Sequence, residues 1–168
     1  MVAWFGLDSA ALVAAGVRVG SGITSYKDAV RLAGARFTAR ALDDRAGSTA
    51  LILAVRAIVP ATLKRRVLFV WSTGEETGLE GAVALAERIG PNVKRVHSID
   101  TFVSSATPLE SPHFAFLPLG GGPVLRAVES SSMVPVAARV EIEKIAREAG
   151  IPLQVGLTQG GTDGTAFT

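Results

Sequence analysis

The sequence predicts an α/β fold, a three-layer α/β/α arrangement around a sheet, and three observations carry that expectation. Segments with apolar residues at helical spacing alternate with short, continuous apolar runs. Those runs, such as RVLFVW at 66–71, lack the polar alternation of a half-solvated strand and suit strands covered on both faces of a parallel sheet. The composition agrees: of 168 residues 48% are hydrophobic, 19% are charged and 18 are glycine, the profile of a folded chain. A single domain of this length is expected to bury roughly 70% of the surface its unfolded chain exposes.

Taken in order, residues 1 to about 40 are punctuated by glycine. LDSAALVAAG predicts a short helix with Ser9 as its cap and Gly16 at its end, and GVRVGSGITSY alternates like an edge strand with a turn. ALDDRAGSTALILAVRAIV opens on two aspartates and continues with helical apolar spacing until Pro60 stops it. RRVLFVWS then predicts a strand, Glu75 and Glu76 a turn, Leu79 to Ile89 a helix, and VKRVHSID a second strand. Further on, HFAFLP reads as a strand and LGGGP as a tight turn. VPVAARVEIEKIAREAG reads as a long helix ending at Gly150, and PLQVGL as a last strand before TQGGTDGTAFT. The LGGGP turn lacks the lysine and hydroxyl of a phosphate-binding loop.

Charge and residue usage exclude several functions. Formal net charge is +2, and the 17 basic residues are spread along the chain except for Lys64, Arg65 and Arg66, a solvated cluster before a strand. That is too little for a nucleic-acid footprint. No apolar run reaches the roughly 18 residues of a membrane span, and the start lacks the basic region of a secretory signal and carries Asp8. Without cysteine there are neither disulfides nor thiolate metal sites, and a cytoplasmic setting is the expectation.

The acidic residues take their meaning from the fold, because chemistry in open α/β sheets collects past the carboxyl ends of the strands. Glu75 and Glu76 follow the strand ending at Trp71, Asp100 ends the next strand, and Asp43 and Asp44 stand at the mouth of a helix. Adjacent glutamates repel and cost desolvation unless solvent or a cation accompanies them. Carboxylates gathered from separate elements suit a hard or borderline metal ion. On spacing alone that reading stands beside one in which the aspartates only cap helices.

The ordered set ALDDRAG, STGEETGLEGA, SID and GGTDGTAF resembles the co-catalytic metallo-aminopeptidases that assemble as tetrahedral dodecamers, the glutamyl and deblocking aminopeptidases, some relatives of which carry an endoglucanase label. The resemblance spans nearly the whole chain. It implies the three-layer fold of zinc-dependent exopeptidases, with residues 1–40 as the tail of an inserted β-rich domain and residues 41–168 as part of the catalytic domain. It implies two divalent metal ions, zinc or cobalt with manganese as a further candidate, a peptide substrate and a homo-oligomer. Asp43 matches the carboxylate that bridges the metals, Glu75 the general base, Glu76 a ligand of one metal and Asp100 a ligand of the other. The resemblance places the loop with Thr162 and Asp163 at the border of the site, where Asp163 either supports it or only forms a turn, while Asp44 orients Asp43 or caps the helix.

Two family features are missing from this sequence, an upstream H-x-D histidine and a histidine shortly after the glycine-threonine-aspartate loop, so the chain resembles an internal piece of the family's chain. Strand alternation turns His97 away from Asp100, and His113 follows a proline-containing loop. The expectation is therefore an aminopeptidase centre that is weakly active or inactive in this chain. Two rivals remain: a non-catalytic scaffold of the same fold, and a related amidohydrolase or carboxypeptidase. An endoglucanase is disfavoured, because glycoside hydrolysis needs carboxyls about 5 Å or more apart across a bond and Glu75 and Glu76 are adjacent.

Overall fold

The computed structural model describes residues 4–24, 26–105, 117–130 and 132–168. The chain divides into two compact units, Met1–Arg40 and Ala41–Thr168.

In the first unit, helix α1 spans Ser9–Ala14, and its cap is Asp8, whose carboxylate accepts from the Ala11 amide at 2.8 Å. The expected cap, Ser9, sits inside the first turn; either side chain suits the role, and the chain enters one residue earlier than predicted. Gly16, at φ +82°, closes the helix as expected. The strand expected at 16–26 does not form among the described residues. The ladder instead pairs β1, Val30–Arg31, with β2, Phe37–Thr38, antiparallel.

In the second unit, helix α2 covers Leu42–Ala57, but Asp43 and Asp44 have non-helical backbones, and the peptide between them is cis. The regular helix therefore begins past Asp44, whose Oδ1 accepts from the Gly47 amide at 3.1 Å and caps it. Pro60 opens the next turn. Helix α3 spans Glu80–Ile89, within a residue of expectation.

Strand β3, Val124–Val128, runs parallel to β4, Gln154–Leu157, with Arg126 opposite Gly156, and helix α4, Val136–Glu148, connects them. This β-α-β unit follows the rule that parallel neighbours need a crossover, here a helix. Arg139–Glu143 and Lys144–Glu148 pairs line the exposed face of α4, and Gly150 ends it. β3 was not expected, since Arg126 interrupts its apolar pattern.

The segments 65–72 and 93–100 pair with no neighbour among the described residues. A continuous apolar run is a central strand only where flanking strands supply ladder bonds, and none lies beside these two. Val67, Leu68, Val70 and Trp71 are correspondingly exposed. HFAFLP lies almost wholly outside the described residues. Burial among the described residues falls well short of expectation. The buried apolar side chains among the described residues are Ala82, Leu117 and Ala146.

Candidate metal centre

The turn carrying the paired glutamates is shaped by glycine. Gly74, at φ +70°, reverses the chain ahead of Glu75, and Gly81 donates to the Thr73 carbonyl at 2.8 Å. A β-carbon on Gly81 would lie 2.6 Å from the Thr73 backbone nitrogen, so helix α3 meets this turn at a distance that only glycine permits. Glu75 is thereby half-buried while Glu76 stays exposed.

Asp43, Asp44 and Asp100 converge, each offering a carboxylate oxygen, with these atoms all within 4.8 Å of one another. They come from the mouth of α2 and from the segment ending at residue 100. Glu75 and Glu76 are not members of this trio, yet the charges of Asp100, Glu76, Asp163 and Asp43 all act on Glu75. Gly47 makes room for the trio: a β-carbon there would fall 2.4 Å from Asp44 Oδ2.

The electrostatics are those of an acidic cluster short of cations. Burial, then the surrounding carboxylates, raises the Glu75 proton affinity above the ordinary range. Burial also raises Asp100, where the Thr101 amide and Arg126 pull the other way while Asp43 and Asp44 push up. Asp44 is raised by burial and by Asp43, against the Gly47 and Ser48 amides. The donor set is all oxygen and largely anionic, which fits a hard or borderline divalent cation.

Thr162 is 7% exposed and donates to Glu129 Oε1 at 3.2 Å. Asp163 accepts from the Ser72 hydroxyl through Oδ2, and its buried Oδ1 has no hydrogen-bond partner among the described residues, a further oxygen suited to a cation or its water. His97 is exposed and stands in no group of mutually close ligand atoms among the described residues; its charge acts on Glu141 of α4. His113 lies outside the described residues. Beside Asp100 opens a cleft of about 400 Å³, lined by Phe102, Leu117, Leu119, Pro123 and Gln154.

Sequence reasoning missed Arg126 and Glu129. Arg126 reaches Asp100 Oδ2 at 3.4 Å and Glu129 Oε2 at 3.3 Å. The signal available was an arginine inside an apolar run with a glutamate three residues on. Burial pushes the Glu129 carboxyl up, but the Ser132 and Thr165 hydroxyls and Arg126 overcome it and hold the group below its usual range.

A pH prediction arises from Glu75. Its folded pKa is raised, so its contribution to stability is present below the unfolded value and is lost as pH rises through the folded one. In metal-free protein, Glu75→Gln is expected to raise the melting temperature above wild type in mildly alkaline buffer. That advantage should shrink as the buffer is acidified below the ordinary carboxylate range. Parallel melting curves for the two proteins across pH would refute this.

The fold has counterparts among solved structures. Pyrococcus horikoshii TET1 peptidase, which assembles into a tetrahedron or a large octahedral shell, is 37% identical at a TM-score of 0.73 over 83% of this chain. Aminopeptidase APDkam598 from Desulfurococcus kamchatkensis superposes at 0.76 over 94% of the chain with 25% identity. A curated protein of Acetivibrio thermocellus, named an aminopeptidase by inference, is 28% identical over 148 residues. The chain spans only 40%, 44% and 43% of the lengths of these three. The profile of the M42 glutamyl aminopeptidases matches residues 5–168, nearly everything described above, and the chain belongs to that family.

Proposed function

We propose that this chain carries the carboxylate part of a two-metal aminopeptidase centre, which removes N-terminal residues from peptides. The observation that supports it is the convergence of Asp43, Asp44 and Asp100 beside Glu75, whose hold on a proton is strengthened. Asp43, Asp100 and Glu76 would hold two divalent ions, zinc or cobalt with manganese as a further candidate, Asp43 as the shared ligand and Asp100 and Glu76 as ligands of one each. Bound metal supplies polarisation of the scissile carbonyl and a more acidic water. Glu75, free of coordination, takes the proton from the attacking water and delivers it to the leaving amine, which its raised proton affinity favours. Asp44 caps α2 and steadies Asp43. Thr162 and Asp163 border the site, and the cleft beside Asp100 receives part of the substrate.

Residues 1–40 belong, on this reading, to the tail of an inserted β-rich domain, and residues 41–168 to the catalytic domain. The working enzyme is a cytoplasmic homo-oligomer. No helix among the described residues is long and apolar enough to cross a membrane. Because no imidazole joins the carboxylates among the described residues, the 168-residue chain by itself binds metal weakly and turns over slowly or not at all.

Calorimetric titration with cobalt or zinc, paired with release of N-terminal residues from short peptides, tests both halves. Heat of binding with a rise in melting temperature and little turnover is the expected result, since a ligand that binds only the folded state must stabilise it. No heat and no rise would favour the scaffold reading. Rapid turnover abolished by Glu75→Gln would overturn the claim of weak activity.

A further inference from the structure

Arg126 is the one cation seen to pair directly with the carboxylate trio among the described residues, and it pairs on two sides at once. Its Nη2 donates to the Thr101 carbonyl at 2.7 Å and lies 3.4 Å from Asp100 Oδ2. Its Nη1 donates to the Gly161 carbonyl at 3.0 Å and lies 3.3 Å from Glu129 Oε2. The guanidinium sits 5.6 Å from the centre of the Phe102 ring, and the side chain is 16% exposed. Glu129 continues the chain of contacts: its Oε1 accepts from Thr162 at 3.2 Å, Thr165 at 3.0 Å and Ser132 at 2.7 Å.

We propose that Arg126 is a positioning residue that clasps the Asp100 segment to the 158–165 loop, so that the Asp100 carboxylate and the loop bearing Thr162 and Asp163 are set together. Only a planar fork reaches both sides, because an ammonium group is a single point of charge. The alternative role for a cation here is electrostatic competition with metal for Asp100, and the two roles predict opposite signs. A competitor, once removed, tightens metal binding; a clasp, once removed, leaves Asp100 free to swing and weakens it.

The experiment compares wild type with Arg126→Gln and Arg126→Lys by cobalt titration and by hydrogen exchange of the metal-free proteins. The glutamine variant should bind cobalt about tenfold or more weakly. Its backbone amides over 158–165 should exchange faster, with lysine restoring only part of either effect. Unchanged exchange in that loop, cobalt binding as tight as wild type or tighter, or full rescue by lysine would each overturn the clasp. Should Arg126→Gln fail to fold, Glu129→Gln removes the anionic partner while keeping an acceptor for the three hydroxyls. It should loosen the same loop. The cobalt comparison rests on the metal-centre reading and the exchange comparison does not. A wild-type chain that takes up no cobalt therefore refutes that reading, while the exchange result still decides the clasp.

Discussion

Replacing Asp43 by asparagine is expected to weaken cobalt binding by about a hundredfold or more, beyond the 10- to 100-fold typical of losing an outer partner of a ligand. Size and one oxygen are kept, so the change isolates the charge. Asp43 is exposed, and its oxygen lies within 4.8 Å of those offered by Asp44 and Asp100, so removing it opens no cavity. It should also relieve repulsion, because the Asp43 charge raises both Glu75 and Asp100. The metal-free variant should therefore melt no lower than wild type, and that opposite sign separates a lost ligand from a damaged fold. Asp8→Asn serves as the control, since asparagine caps a helix as well as aspartate does. An Asp43→Asn affinity within about threefold of the control would remove Asp43 from the metal set.

The largest stability effect is expected at Gly122. Its φ is +99°, and a β-carbon there would fall 1.6 Å from the Pro152 carbonyl oxygen. The clash is with backbone at the entry to β4, which cannot move aside without disturbing the register that pairs Val124 with Gln154. Overpacking and the disfavoured backbone together put the cost of Gly122→Ala at roughly 3 kcal/mol or more. For a chain of this size that lowers the melting temperature by roughly 6–12 °C. Gly120, at φ +87°, meets nothing within 4 Å, so Gly120→Ala carries only the conformational part, about 1–2 kcal/mol. Thermal unfolding of the two variants side by side gives the contribution of the contact. Equal losses would mean the close approach to Pro152 does not matter.

What could be read from the sequence was whatever depends on local chemistry. Helices α3 and α4 were legible as helices, α4 with its end at Gly150, and β4 by the run PLQVGL. The aspartates of LDDR and SID were recognisable as carboxylates at element ends. Features set by partners distant in sequence were not. RVLFVW has the composition of a buried strand, yet burial is a property of its neighbours, and among the described residues no strand pairs with it, so Val67, Leu68, Val70 and Trp71 are exposed. Strand β3 was hidden by Arg126, a residue that a strand tolerates only because Asp100, Thr101, Glu129 and Gly161 surround it with acceptors. Neither pattern nor propensity announces a partner 25 to 35 residues away. The pairing of Ser72 with Asp163, across 91 residues, was beyond reach for the same reason.

Gly47 gives the LDDRAG stretch a meaning that charge alone does not. The space a side chain would occupy there is filled by the Asp44 carboxylate, with both oxygens within 2.5 Å of the missing β-carbon. The motif therefore specifies an empty volume as well as two negative charges. The four-residue interval from Asp43 to Gly47 is dictated by the reach of the carboxylate between them, not by helical periodicity. A mimic of this site built on another scaffold must import the vacancy together with the aspartates. Grafting the acids alone would leave Asp44 nowhere to fold back, and the α2 terminus without its cap.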